Sequence, residues 1–245
     1  MTTQAAVQEL GTLTFSPAGE EWLEFGPPDS RTRIAFHDYA AIYKVPGLYE
    51  HVFHDTLHMR STAEVVRLYG EVLAGERLDP AEQRVVDFGA GNGLGGQALR
   101  DLGIGEIYGI DREPMARTAA ERDRPGTYDD YLVGDLGAWT PEESQRLTRR
   151  QPTALLALSA IGVGHVPAQV VQRALNLLGP GRIYGFALHP RLLPGSEDPV
   201  GRASGFPELI ETLHQHTEQL AEASYVHRVR PDGSEDLAVA FVGRT

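Results

Sequence analysis

The chain has 245 residues, of which 41% are hydrophobic and 23% charged, a composition that supports a sizeable globular core and excludes a disordered, collagen-like or coiled-coil protein. Its 34 acidic residues outnumber its 22 basic ones and leave a net charge of −12, which disfavours nucleic acid as a partner. The sequence has no cysteine, no signal-like start and no apolar stretch long enough for a bilayer, so we expect a cytoplasmic protein without membrane contact.

The first part of the chain predicts strands followed by helices. Residues 1–36 alternate polar and apolar side chains around turn formers, a pattern typical of a β-hairpin. From His37 the apolar residues recur at helical spacing, which predicts two short helices on either side of Pro46-Gly47 and a third over residues 62–74. We therefore expect a first domain of strands and a helical cap over residues 1–61.

The rest of the chain alternates strand-like and helical segments. Candidate strands cover residues 85–88, 106–110, 130–133, 154–158 and 182–187, and candidate helices cover residues 94–102, 113–122, 141–149, 167–178 and 206–221. Two further strand-like runs, separated by Pro231-Asp232-Gly233, predict a terminal antiparallel hairpin. Residues 62–245 are thus expected to form a doubly wound α/β domain with a mostly parallel seven-stranded sheet.

A glycine-rich turn follows the first strand of this domain, in the run Val85-Val86-Asp87-Phe88-Gly89-Ala90-Gly91-Asn92-Gly93. Glycine lets the backbone approach a ligand closely, and the helix behind the turn offers unpaired N–H groups. Gly91, Gly93 and Gly96 also satisfy the dinucleotide spacing G-x-G-x-x-G, so an NAD-linked oxidoreductase is an alternative. Asp87 favours a ligand with positive charge, because a carboxylate is badly placed beside a pyrophosphate.

Acidic residues stand at the ends of three successive candidate strands. They are Asp87, Asp111 and Asp135. Because the carboxyl ends of parallel strands meet at one edge of a sheet, where ligands bind in open α/β folds, we expect the three side chains to lie around one site.

The glycine turn with its preceding acid resembles the acid-x-G-x-G-x-G motif of the class I S-adenosylmethionine-dependent methyltransferases. The two later acids, the Gly179-Pro180-Gly181 turn before the fifth strand and the terminal hairpin also follow that family's order, over about residues 62–243. The resemblance implies a Rossmann-like methyltransferase fold, S-adenosylmethionine as the cofactor and methyl transfer as the activity.

The resemblance also implies roles for single residues. Asp87 and the glycines would line the methionine part of the cofactor, Asp111 would hold the ribose hydroxyls, and Asp135 with Leu136 would recognise adenine. The segment around Tyr39 and Tyr43 resembles the N-terminal part of bacterial methyltransferases, whose helices cover the cofactor. The implied cofactor-binding residues are Tyr39, Tyr43, Asp87, Gly89, Gly91, Asn92, Gly93, Asp111, Arg112, Asp135, Leu136 and Ser159.

Methyl transfer from a sulfonium is an in-line displacement, so positioning supplies much of the rate and few catalytic side chains are needed. A general base would help a hydroxyl or phenol acceptor, and histidine is the usual choice. We predict His165, in the loop after the fourth strand, and His189, after the fifth, as the catalytic candidates, with His37 as a further one; loop histidines are more often plain surface residues. His51, His54 and His58 share a helix face; metal binding is the alternative there, but a solvated face is favoured because no second element is marked as a ligand donor, and no metal is predicted.

The acceptor is expected to be a small organic molecule. The fourth-strand sequence Leu158-Ser159-Ala160-Ile161 differs from the N-P-P-Y or D-P-P-Y of enzymes that methylate base or glutamine nitrogens. A macromolecular acceptor is also compatible with the sequence, as is a non-catalytic protein that binds the cofactor or serves in regulation. The N-terminal strands are expected to serve as a lid or as the contact of a homodimer.

Overall fold

The computed structural model describes residues 10–17 and 19–245. Residues 1–9 and 18, which belong to the predicted N-terminal strand region, lie outside the described residues. The strands β1 (Thr14–Ser16), β2 (Gly19–Phe25) and β3 (Thr32–Ala35) form an antiparallel sheet in the order β1-β2-β3. The predicted hairpin therefore has a third strand. The guanidinium of Arg31 donates 2.9 Å hydrogen bonds to the carbonyl oxygens of Thr12 and Glu24 and so ties this sheet together.

The helical cap follows this sheet. Helix α1 (Tyr39–Lys44) begins after Asp38, whose carboxylate accepts a 3.0 Å hydrogen bond from the backbone N–H of Ala41. Helix α2 (Leu48–Glu50) continues directly into a π-helix (His51–Thr56). Both predicted cap helices are present, the second mostly with π geometry. π-Helices are rare in proteins, and those that occur often lie at functional sites.

The central sheet has seven strands in the order β6-β5-β4-β7-β8-β10-β9. The strands are β4 (Arg84–Phe88), β5 (Glu106–Asp111), β6 (Asp130–Val133), β7 (Ala154–Ala157), β8 (Ile183–Leu188), β9 (Glu218–Val229) and β10 (Glu235–Arg244). Strands β4 to β8 pair in parallel, whereas β10 pairs antiparallel with both β8 and β9. The order reverses between β4 and β7, and ligands of open α/β sheets bind at such a switch point.

Helices cover both faces of this sheet. They are α3 (Ser61–Glu76), α4 (Leu94–Asp101), α5 (Pro114–Asp123), α6 (Pro141–Thr148), α7 (Ala168–Leu178), α8 (Pro199–Arg202) and α9 (Phe206–His216). Buried side chains of α3 and α4 pack on one face, and those of α7 and α9 pack on the other. The predicted α/β class, the seven-stranded mostly parallel sheet and the terminal hairpin are confirmed.

The largest error in a predicted element boundary concerns the last helix. The helix expected over residues 206–221 ends at His216, and residues 218–221 belong to β9. Thr217 adopts an extended conformation and its hydroxyl lies 2.7 Å from that of Tyr184, while Glu218 pairs with Arg244 in the sheet. Strand pairing with the end of β10 therefore outweighs the helical preference of these residues.

In the part of the chain that the structure describes, no helix combines the length and the apolar character needed to cross a bilayer. The cytoplasmic location and the domain boundary between residues 61 and 62 stay predictions.

Candidate active site

A cavity of about 500 Å³ opens at the carboxyl ends of β4 to β7, beneath the helical cap. A volume of this size is usual for a small-molecule site. The structure brings to it His165 and all the predicted cofactor residues except Gly93. Those lining it are Tyr39, Tyr43, Asp87, Gly89, Gly91, Asn92, Asp111, Arg112, Asp135, Leu136 and Ser159. Gly93 is buried and precedes helix α4.

The glycine turn uses its backbone donors internally. The N–H groups of Gly89 and Ala90 both donate to the carbonyl oxygen of Ile110, at 2.8 and 3.0 Å. The N–H of Gly91 donates to Asp111 Oδ2 at 2.8 Å, and that of Gly93 donates to the Ala90 carbonyl at 3.0 Å. A phosphate approaching this turn would find these four donors already occupied.

Two of the glycines are required by close approach as well as by backbone angle. Gly89 has φ +78°, and a Cβ there would collide with the Cβ of Ala160. Gly91 has φ +53°, and a Cβ there would lie 2.7 Å from the hydroxyl oxygen of Tyr43. The turn therefore packs closely against both the loop after β7 and the cap, with no room for side chains at Gly89 and Gly91. Its backbone is thus exposed directly on the cavity wall.

Asp87 lies behind the turn and is 1% exposed. Its Oδ2 accepts a 2.8 Å hydrogen bond from the hydroxyl of Tyr128. Burial raises the pKa of Asp87 from 3.8 to about 7, with a further rise from the nearby Asp111 carboxylate, while the hydrogen bonds from Tyr128 and the Gly96 backbone oppose it. A cation placed against this carboxylate would favour its ionised form.

The other two predicted acids are held by backbone donors. Asp111 accepts from the N–H of Gly91 at 2.8 Å and from that of Glu113 at 2.9 Å. Burial raises the pKa of Asp111, and these two hydrogen bonds lower it. Asp135 accepts a 2.8 Å bond from the N–H of Gly137 and begins the short turn that buries Leu136. The three acids thus stand in fixed positions around one cavity, as the strand-end pattern predicts.

Sequence reasoning missed two tyrosines that support the glycine turn. Tyr128 donates to Asp87, and Tyr131 donates a 2.8 Å hydrogen bond to the carbonyl oxygen of Gly91. Both lie at or just before β6, and their rings meet edge to face with centroids 5.1 Å apart. The sequence signal was a pair of tyrosines three residues apart, next to the strand that precedes Asp135.

A second missed group joins the cap to the sheet domain. The carboxylate of Glu50 receives hydrogen bonds from Asn92 Nδ2 at 2.8 Å and from Arg124 Nη2 at 2.5 Å. Glu50 and Arg124 side chains are each only 13% exposed. Arg122 also donates to the carbonyl oxygen of Tyr43 at 3.0 Å, at the end of α1. These contacts hold the cap over the glycine turn.

Like His37, the further catalytic candidate, His165 lines the cavity. Its ring lies 5.3 Å from the ring of His37 and 5.9 Å from that of Tyr39, both on the cap side. Burial lowers the pKa of His165 to about 4, and the charges of His37, Arg112 and Arg228 lower it further. The imidazole is therefore neutral at neutral pH and is a weak base.

His189 is not brought to the cavity. Its Nδ1 accepts a 3.0 Å hydrogen bond from the N–H of Arg191, and its Nε2 lies 3.3 Å from Asp236 Oδ1. The antiparallel pairing of β8 with β10 brings Asp236 beside this histidine. The structure therefore gives His189 structural contacts with Arg191 and Asp236 and does not place it among the residues that line the cavity.

The structure assembles no group of three or more potential metal ligands within residues 10–17 and 19–245. His51, in the π-helix, lies 3.5 Å from Asp55, and Nε2 of His54 is buried without a hydrogen bond.

No family model and no curated protein match the sequence. Solved structures do match the fold. A putative methyltransferase complexed with the activator Trm112, from Haloferax volcanii, is 18% identical with a TM-score of 0.55, over 84% of this chain and 97% of that one. An S-adenosylmethionine-dependent methyltransferase from Anabaena variabilis is 15% identical with a TM-score of 0.54, over 84% and 93%. The N-methyltransferase NodS from Bradyrhizobium japonicum, solved with S-adenosyl-l-homocysteine, is 13% identical with a TM-score of 0.52, over 75% and 85%.

The chain therefore has the fold of the class I S-adenosylmethionine-dependent methyltransferases, as the sequence resemblance implies. Its cavity occupies the switch point of that fold.

Proposed function

We propose that this protein is an S-adenosylmethionine-dependent methyltransferase acting on a small organic molecule. The observation that carries the proposal is the glycine turn itself. Its N–H groups at Gly89, Ala90, Gly91 and Gly93 are used within the protein, while Asp87 and Asp111 stand beside it. A turn with carboxylates and few open donors suits a cationic ligand better than the pyrophosphate of NAD.

The residues present fit S-adenosylmethionine. Asp111 and Asp135, at the ends of β5 and β6, are acceptors for the ribose hydroxyls and the adenine amino group, and Leu136 offers an apolar contact to the base. Asp87 carries the charge that suits an α-ammonium, and the hydroxyl of Tyr43 lies over Gly91. When bound, the cofactor supplies an activated methyl group. The structure with S-adenosyl-l-homocysteine of NodS, which shares the fold, supports this assignment.

The chain's own contribution to the reaction is positioning. The cap and the loop after β7 enclose the cavity from two sides, and their side chains would orient the acceptor and exclude water. Ser159 lies at the end of β7 within this cavity, with its hydroxyl 3.3 Å from the Met59 sulfur. The net charge of −12 supports a small acceptor over a nucleic acid.

Calorimetric titration of the purified protein with S-adenosylhomocysteine, S-adenosylmethionine and NAD tests the proposal. We expect the first two to bind with micromolar affinity and NAD not to bind. Asp111→Asn should weaken both roughly tenfold to a hundredfold, because it removes the charge and alters the acceptor for the ribose. Asp101→Asn is the matched control, since Asp101 lies on the exposed end of α4, where its carboxylate accepts a hydrogen bond from Gln97.

Binding of NAD would overturn the assignment. So would a failure of both S-adenosylmethionine and S-adenosylhomocysteine to bind. Binding of the cofactor without turnover on any small molecule would leave a cofactor-binding protein instead of an enzyme. Mass spectrometry can measure the S-adenosylhomocysteine that forms from S-adenosylmethionine with and without candidate acceptors. Formation that depends on an acceptor identifies an enzyme, and its absence identifies a cofactor-binding protein.

A further inference from the structure

The acceptor side of the cavity is defined by side chains of the cap and of the loop after β7. The rings of His37, Tyr39 and His165 lie 5.3 to 6.2 Å from one another and form an aromatic wall. Arg112, which follows the end of β5, lines the same cavity. A flat molecule can pack on such a wall.

The carboxylates around this space already have partners. Asp38, Glu113 and Asp135 each begin a helix or turn and accept a hydrogen bond from a backbone N–H, at 3.0, 3.0 and 2.8 Å. Asp87 and Asp111 lie on the cofactor side and are held by Tyr128 and by backbone donors. The acids of the cavity therefore serve the fold and the cofactor.

The basic groups are differently placed. Within residues 10–17 and 19–245, the side chain of Arg112 has no ion pair within 4 Å, although its charge acts on the neighbouring Asp111, and the ring nitrogens of His165 have no hydrogen bond. His165 is partly buried and lines the cavity. Arg228, whose charge also acts on His165, has its Nε 3.3 Å from Asp236 Oδ2. In the described part of the chain, no hydrogen bond or ion pair thus engages the side chain of Arg112, which is exposed at the cavity, or that of His165, which is partly buried there.

The charges that act on His165 agree with the basic character of this region. Burial lowers the pKa of His165 to about 4, and the charged neighbours that add to the effect are His37, Arg112 and Arg228, all basic. Next to His165, these basic groups favour an anionic acceptor over a cationic one.

We propose that the methyl acceptor is a small acid that binds as its oxyanion, held by the guanidinium of Arg112 and the imidazole N–H of His165, and that this ionised oxygen receives the methyl group. The proposal rests on the methyltransferase function above. The acceptor oxygen forms the new O–CH₃ bond with its own electron pair, and the pair of the broken S–CH₃ bond stays on sulfur. Because the oxygen is already ionised, no proton has to be removed, which agrees with a histidine that is a weak base.

The first experiment measures the binding of simple probes to the protein saturated with S-adenosylhomocysteine. Benzoate and 4-nitrophenolate are the two oxyanion probes, one a carboxylate and one a phenolate, and benzamide is the neutral analogue. We expect at least one oxyanion to bind about tenfold more tightly than benzamide. Tighter binding of benzoate would indicate a carboxylic acid as the acceptor, and tighter binding of 4-nitrophenolate would indicate a phenol.

Variants locate the site. Arg112→Gln should weaken oxyanion binding about tenfold, whereas Arg117→Gln, which removes an equal charge from an exposed ion pair with Glu121 on α5, should not. In NMR titrations, the pKa of the His165 imidazole should rise when the oxyanion is added. The His165 signal is identified by its loss in His165→Asn.

The outcomes are distinct. If the protein does not bind S-adenosylhomocysteine, the proposed function fails and this inference fails with it. If the cofactor product binds but benzamide and the oxyanions bind equally, or no oxyanion binds, the acid acceptor alone is refuted. Oxyanion binding that Arg112→Gln leaves unchanged also refutes it, because the anion then lies elsewhere.

Discussion

The buried carboxyl of Asp87 predicts a pH dependence of cofactor binding. Burial raises its pKa to about 7, so in the ligand-free protein much of it is protonated at and below neutral pH. An ammonium group of the ligand placed against it would require the ionised form. Binding should therefore release a proton below pH 7 and should become tighter as the pH rises.

The size of the effect follows from the pKa. One pKa unit corresponds to about 1.4 kcal/mol, a factor of ten in affinity. At pH 8 nearly all of Asp87 is ionised, whereas at pH 6 roughly nine tenths is protonated and must lose its proton on binding. The Kd for S-adenosylhomocysteine should thus be about tenfold higher at pH 6 than at pH 8.

Calorimetry at pH 6, 7 and 8, in two buffers of different ionisation enthalpy, measures both the Kd and the protons released. Asp87→Asn should bind weakly and show no such pH dependence, while Asp101→Asn, at the exposed end of α4, should behave as the wild type. A Kd that stays constant between pH 6 and pH 8 in the wild-type protein would refute the role of Asp87 as the partner of a cationic group.

Three further predictions concern stability and the cap. The folded-state pKa of Asp87 lies above its unfolded value, so its ionisation destabilises the ligand-free protein as the pH rises; urea unfolding should show wild type losing roughly 3 kcal/mol relative to Asp87→Asn between pH 5 and pH 8. Gly89→Ala should abolish S-adenosylhomocysteine binding by forcing the turn away from Ala160, whereas Gly126→Ala, with nearly the same φ (+77° against +78°) and open space around it, should cost only about 1–2 kcal/mol of stability and no affinity. Arg124→Ala leaves the largely buried Glu50 without its cation, so amide hydrogen exchange in residues 39–57 should become faster. Arg117→Ala, which removes an exposed ion pair, should leave that exchange unchanged. Equal exchange rates in the two variants would contradict a role for Arg124 in holding the cap.

The glycine turn and the three acids of the cavity could be predicted because their positions follow from local sequence. A strand followed by glycines fixes the turn, and acids that follow parallel strands meet at one edge whatever the rest of the chain does. Asp87, Asp111 and Asp135 therefore reached one cavity as expected. The position of an acid relative to its own strand carried all the information that was needed.

The supporting contacts could not be predicted in this way. Glu50 meets Arg124 across 74 positions of sequence, and Tyr128 meets Asp87 across 41, so each pair depends on how separate elements pack. The two catalytic candidates show the same limit. His165 and His189 both follow strands, but only the strand beside His189 has an antiparallel neighbour that carries an acid, Asp236, to bind it.

The two halves of the cavity now have a single electrostatic explanation. The proposed cofactor has a positively charged sulfonium, and its half of the cavity holds Asp87 and Asp111; the proposed acceptor is an anion, and its half holds Arg112 and His165. Transfer of a methyl group between such partners turns two charges into none, and a reaction that loses charge is favoured by surroundings of low dielectric constant. A cap held over the turn by Glu50 and Arg124 provides those surroundings. Opening the cap with Arg124→Ala should therefore lower kcat for an acid substrate more than it raises KM, because water returns and stabilises the separated charges before transfer. A change in KM alone would show that the cap contributes to substrate binding and not to the methyl transfer step.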